Sequence, residues 1–218
     1  MSRPLLITDC DEVLLHMVVP FGAWLDEAHH IHFDLDSGEF VDALRHKASG
    51  LVVEQTAVWP LLRAFFETEM HRQQPIVGAV EALSAIGEFA DIVVLTNLVD
   101  EERTARAAQL CAVGINCPVY TNQGGKGALM AKIIADYNPS VTAFVDDLSH
   151  QHSSVAKHAP DVWRLHMVGE PRVACNVKPS PDAHARIDDW TRATPWLIEK
   201  LTSGATASSE RKGKLHDQ

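Results

Sequence analysis

Three short apolar runs, each stopping at a polar or acidic cluster, constrain the fold of this chain more than any other feature. Residues 5–8 (LLIT) stop at Asp9, residues 92–95 (IVVL) at Thr96-Asn97, and residues 141–145 (VTAFV) at Asp146-Asp147. Runs this short, bounded by polar groups, fit buried strands. A weaker run at 162–168 mixes in Arg164 and His166, and another at 118–120 is very short. Helical spacings lie between them. One begins at Pro75 with Ile76, Val80 and Leu83, and one runs from about Val99 through Ala105, Ala108 and Ala112 to Gly114. A third follows Gly124-Gly125, with Leu129, Ile133 and Tyr137 on one face, and closes at Asn138-Pro139. Late in the chain, Thr194-Pro195 reads as a helix start, followed by Leu197 and Leu201. Strands alternating with helices imply a parallel sheet covered on both faces.

The fold class is therefore α/β, with a Rossmann-like parallel sheet. Residues 20–74 break the alternation. They carry helix-like spacing (Phe21, Trp24, Leu25, Ala28) and a second apolar segment at 58–66, with no clear strand. This stretch reads as a helical cap of 55 residues inserted after the first strand, with the core formed by 1–19 and 75–202. The tail 203–218 is small, polar and without periodicity, which predicts disorder. The 29 acidic residues against 19 Lys and Arg give a charge of −10, of which the cap holds nine acids against four basic residues. Such an excess repels phosphate backbones and anionic lipid, so nucleic-acid and membrane partners are not expected. Acids interrupt the N-terminal apolar stretch, and no apolar run is long enough to span a bilayer. Cys10, Cys111, Cys117 and Cys175 lack paired metal or dithiol spacing. Together these features predict a soluble, cytoplasmic protein with reduced thiols.

Ligands of an open parallel sheet bind beyond the C-terminal ends of its strands. That is where Asp9 and Asp11, Thr96 and Asn97, and Asp146 and Asp147 fall, while Lys126 opens a helix after a Gly-rich turn. Crowded carboxylates raise one another's pKa unless a cation offsets them. A hard divalent ion such as Mg²⁺ is the simple remedy. A Lys and a Thr hydroxyl beside it would face the oxygens of an anionic ligand, and an Asp can act as nucleophile. The constellation suits phosphoryl transfer.

These residues resemble the motifs of the haloacid dehalogenase superfamily, in order, over about residues 3–170. The first motif is LLITDCDEVL at 5–14, the second VVLTN with Thr96, the third GGKGALMAK with Lys126, and the fourth FVDD with Asp146-Asp147. The insertion lies where a C1-type cap occurs in that family. The resemblance implies a phosphatase acting on a small soluble phosphomonoester through an aspartyl-phosphate. Asp9 would be the nucleophile, and Asp11 the acid and then the base, with its backbone carbonyl also on Mg²⁺. Thr96 would bind a phosphoryl oxygen, with Asn97 beside it, and Lys126 would pair with Asp9 and the phosphoryl group. Asp9, Asp146 and Asp147 would complete the metal site. Phosphotransferases and mutases share all these residues, a phospho-receiver module carries a similar set in another order, and a non-catalytic binding protein on the same fold is a further alternative. Glu12 departs from the pattern, since the family often has Gly there. Asp11 argues against dehalogenation, because dehalogenating members lack a carboxylate at that position.

Other features read as structural. His29, His30 and His32 in the cap lack companions for a metal site. His150 and His152 fall in the loop after the fourth motif, where one of them could line the site's mouth. Trp24, Trp59, Phe65 and Phe66 read as cap core. The Cys10 side chain should point away from the two acids that flank it.

Overall fold

The computed structural model describes residues 2–35 and 40–209, apart from the side chain of Val41. Its elements run β1 (Leu5–Thr8), α1 (Val18–His29), β2 (Ile31–Phe33), β3 (Leu44–His46), α2 (Gln55–Thr68), α3 (Ala79–Gly87), β4 (Asp91–Thr96) and α4 (Arg103–Ala112). There follow β5 (Val119–Thr121), α5 (Gly127–Tyr137), β6 (Thr142–Asp146), α6 (Ser149–His158), β7 (Trp163–His166), α7 (Pro171–Ala174), β8 (Ala185–Arg186) and α8 (Trp190–Thr202). Six strands form one sheet in the order β5-β4-β1-β6-β7-β8, every neighbouring pair parallel.

The sheet buries both faces, which is why its strands read as unbroken apolar runs. Leu6, Val94, Val145 and Leu165 pack on one side with residues of α3, α4 and α8. Leu5, Ile7, Val93, Leu95 and Phe144 pack on the other with Met130, Ile133 and Val155 from α5 and α6. Each such side chain contributes roughly 1.5–3 kcal/mol on burial. The five sequence-predicted strands all form, and β8 adds a two-residue edge strand that no periodicity could announce.

Residues 18–72 make a unit with its own apolar cluster around Phe21, Trp24, Leu44 and Phe65. Its connections to the core run side by side: the His16 N–H donates to the Gln74 carbonyl and the Ile76 N–H to the Leu14 carbonyl, both at 2.9 Å. The unit is not purely helical, as the sequence suggested. The strands β2 and β3 pair antiparallel, with Phe33 opposite Leu44 and Ile31 opposite His46. Three-residue strands carry too little alternation to be seen in a sequence.

Three further expectations are corrected. The helix expected from Pro75 starts at Ala79, because Pro75 is engaged in a bridge with Leu15. The last helix starts not at Thr194-Pro195 but a turn earlier. Asp189 caps it by accepting from the Arg192 N–H at 2.9 Å, and buried Trp190 anchors it through its indole N–H to the Val13 carbonyl at 2.8 Å. The tail is ordered as far as residue 209. Ala207 is buried, its N–H donates to the Asp161 carbonyl, and the Trp163 indole N–H donates to Ala205. Residues 210–218 lie outside the described residues. No helix among those described is long and apolar enough to cross a membrane.

Candidate active site

Because β1 lies between β4 and β6, the chain direction brings three strand ends together. Asp9 follows β1, Thr96 ends β4 and Asp146 ends β6. The strand order reverses at β1, so this is the crevice where an open sheet accepts ligands.

Lys126 is the hub. Its ammonium lies 2.8 Å from Asp9 Oδ1 and 2.6 Å from Asp146 Oδ2, and all three residues are buried. Burial by itself lowers a lysine pKa, but the charges of Asp146 and Asp9 reverse that and hold the ammonium protonated. Its position is enforced locally. The Gln151 carboxamide accepts from the Lys126 N–H at 2.8 Å and donates to the Gly124 carbonyl at 3.0 Å. Next to it, a Cβ on Gly127 would come within 2.2 Å of the Ser154 carbonyl, so only glycine lets α5 start this close to α6.

Asp9 Oδ1 also accepts from the Cys10 N–H at 2.7 Å, which leaves Oδ2 without a partner among the described residues. Burial, partly opposed by Lys126 and reinforced by Asp146 and Asp11, pushes the Asp9 carboxyl up to about 7. Thr96 Oγ1 is buried and unpartnered. Asn97 reaches the same cavity, but its carboxamide is engaged at both ends, donating to Gly124 and accepting from Asn122, each at 3.0 Å. It therefore shapes the loop that leads to Lys126.

Carboxylate oxygens of Asp9, Asp146 and Asp147 lie within 4.8 Å of one another. Burial and the charges of Asp146 and Asp9 raise Asp147 well above the carboxylate range. Three hard oxygen donors that destabilise one another in this way fit a divalent cation. The Asp11 side chain stands apart from this cluster. Both its oxygens accept from Arg106 Nη2, at 3.0 and 3.1 Å, and Oδ1 also accepts from Gln73 Nε2 at 2.6 Å.

Several residues that build the site carry no motif. Arg106 is fully buried and donates through Nη1 to Gln73 and Gln109 as well, at 3.0 and 2.9 Å, and it lies 3.3 Å from the Cys10 thiol. Its guanidinium also sits 5.5 Å from the Phe66 ring of the cap. The available signal was an Arg one turn before the apolar Leu110 on α4, the two buried residues of that helix. Glu12 adopts a left-handed backbone (φ 57°), the conformation for which glycine is preferred. Its side chain compensates: Oε1 accepts the first N–H groups of the cap, from Met17 at 2.6 Å and Val18 at 2.8 Å. Burial, opposed by those N–H groups, pushes Glu12 up to about 7.

The segment after Asp147 is helix α6 rather than loop. Its two histidines diverge: His150 lines the cavity, while His152 is buried beneath Asp146 with Nε2 donating to the Asp146 carbonyl at 3.0 Å. His166 Nε2 likewise donates to the Asp147 carbonyl at 2.7 Å, so two neutral imidazoles fix the acidic pair from below. Burial lowers His152 to about 4. The expectation that four cap aromatics form its core holds for Trp24 and Phe65, and for Phe66, which packs against that core while also lining the cavity. Trp59 is 60% exposed and faces the cavity.

An open parallel α/β sheet with an acidic site at its switch point and an inserted cap defines the class of protein. No protein-family model matches the sequence, and no curated protein matches it. Solved structures do. A HAD family hydrolase from Deinococcus radiodurans with bound phosphate and sodium aligns at TM-score 0.63 and 14% identity, over 90% of this chain and 95% of that one. The haloacid dehalogenase-like family protein SP0104 from Streptococcus pneumoniae aligns at 0.62 and 9%, over 90% and 98%. YfnB from Bacillus subtilis, described as a HAD hydrolase bound to magnesium, aligns at 0.62 and 14%, over 90% and 99%. The chain has the haloacid dehalogenase-like fold.

Proposed function

We propose that this protein is a Mg²⁺-dependent phosphatase of the haloacid dehalogenase superfamily, hydrolysing a small phosphomonoester through an aspartyl-phosphate on Asp9. The observation that carries this reading is the state of Asp9: Oδ1 is held by Lys126 and the Cys10 N–H, and Oδ2 is left free as a nucleophile. Asp9 Oδ2 attacks phosphorus as the ester oxygen leaves, and Asp11 gives that oxygen its proton. Asp11 then takes a proton from the water that attacks phosphorus, releasing phosphate and restoring Asp9. To act as acid, Asp11 must turn from Arg106 towards the cavity it already borders. Lys126 and the unpartnered Thr96 hydroxyl are suited to donate to phosphoryl oxygens. Asp9, Asp146 and Asp147, with the Asp11 carbonyl, would hold the Mg²⁺, whose contribution is charge neutralisation at those oxygens.

The substitution Asp9→Asn tests the mechanism. With phenyl phosphate and Mg²⁺ we expect phosphate release to fall by about 10⁴-fold or more, as for other lost nucleophiles, while far-UV circular dichroism is unchanged. Turnover near the parent rate would exclude Asp9 as nucleophile.

A further inference from the structure

Resting on that phosphatase reading, we propose that the ester this site takes is formed by a predominantly apolar alcohol, alkyl or aryl, with no second anionic group. The cavity above Asp9 has a volume of about 570 Å³, far more than a phosphoryl group needs. What fills the remainder is decided by its walls. The cap contributes Phe33, Phe40, Trp59, Leu62 and Phe66. The core rim contributes Leu148 and, around α7, Val168, Val173 and Val177.

Charge selects further. The lining includes Asp9, Asp11, Glu12, Asp34 and Asp147 but, among the described residues, no Lys or Arg. The two cations nearest the floor are already engaged, Lys126 by Asp9 and Asp146 and Arg106 by Asp11. A second phosphate or a carboxylate on the alcohol would therefore find His150 but, among the described lining residues, no free Lys or Arg to pair with. A polyhydroxylated sugar would place most of its hydroxyls against Phe, Trp, Leu and Val side chains, with Asp34, Ser149, His150 and Asn176 as the polar groups of the wall. An apolar alcohol suffers neither cost and covers the exposed Trp59 face.

The test uses the purified chain with Mg²⁺ and a homologous series of methyl, butyl and hexyl phosphate, whose leaving groups are chemically alike. It adds glucose 6-phosphate, fructose 1,6-bisphosphate and phosphocholine. We expect kcat/KM to rise by about fourfold for each methylene that the wall covers, so that hexyl phosphate exceeds glucose 6-phosphate and the bisphosphate. Trp59→Ala should flatten the series. A flat series, or preference for the sugar, the bisphosphate or phosphocholine over hexyl phosphate, overturns the proposal. Binding of methyl- and hexylphosphonate to the Asp9→Asn protein, read by calorimetry, separates the two readings. If no ester turns over but hexylphosphonate binds at least tenfold tighter than methylphosphonate, the phosphatase reading fails and the apolar pocket stands. Equal binding of the two phosphonates overturns the pocket assignment whatever the turnover.

Discussion

The floor and the roof of one cavity are built on opposite physical terms. At the floor, Lys126, Asp9 and Asp146 are buried in mutual contact, Arg106 is buried against Asp11, and two neutral histidines brace the Asp146-Asp147 backbone. At the roof, the cap presents Trp59, Leu62 and Phe66, which make no such network. A buried charge fixes its partners because leaving one unpaired is costly. The exposed part of the wall, Trp59, tolerates change, since exposed substitutions rarely move stability far, whereas Leu62 and Phe66 also pack on the cap core. On the proposed function, the floor holds geometry for chemistry, and the roof is free to set what the chemistry is applied to.

Removing the hub tests that contrast most severely. Lys126→Met leaves Asp9 and Asp146 uncompensated and should cost about 3–5 kcal/mol in urea unfolding of the metal-free protein. A loss below about 1 kcal/mol would break the picture of a floor held by charge.

The histidines sharpen the same picture through pH. His152 has its ordinary pKa of 6.5 when unfolded and about 4 when folded, because burial disfavours the imidazolium. Between those values the unfolded chain binds a proton that the folded one does not. His152 therefore contributes a loss of up to about 3 kcal/mol as pH drops from 6.5 to 4, while Asp9, Glu12 and Asp147, whose carboxyls are raised by burial, contribute in the opposite sense over the same range. The measurement is therefore the difference between the parent and His152→Gln in metal-free urea unfolding, which should grow in favour of the variant by about that amount from pH 6.5 to 4.

Arg106→Met is next. Asp11 keeps only Gln73, but its side chain is 17% exposed and can be hydrated. The expected loss is about 1–3 kcal/mol, again by urea. At the roof, Trp59→Ala should shift stability by no more than about 0.5 kcal/mol, since the ring is 60% exposed. A large loss there would mean that Trp59 belongs to the cap core, as its sequence context suggested.

The legible parts of the site were those that lie next to a strand end. Asp9, Thr96, Lys126, Asp146 and Asp147 each follow an apolar run or open a helix, so local pattern and the rule for parallel sheets place them in one crevice. Arg106, Gln73, Gln151 and His166 were not legible. They reach the site from 19 to 95 residues away in sequence from the groups they hold, and nothing in their own neighbourhoods marks them. The hairpin in the cap escaped for a related reason, because pairing between three-residue strands is a tertiary event.

By itself the sequence determined the parallel α/β core, the order of its strand-end acids, the position of Lys126 and the existence of an insertion. All of these follow from hydrophobic periodicity and from residues adjacent in the chain. Only the tertiary structure decided that Asp11 is held by a buried arginine, that Glu12 caps the first cap helix from a left-handed turn, and that Trp59 faces the cavity. Those depend on which side chains desolvate one another across the fold, and burial of that kind is a property of packing rather than of local sequence.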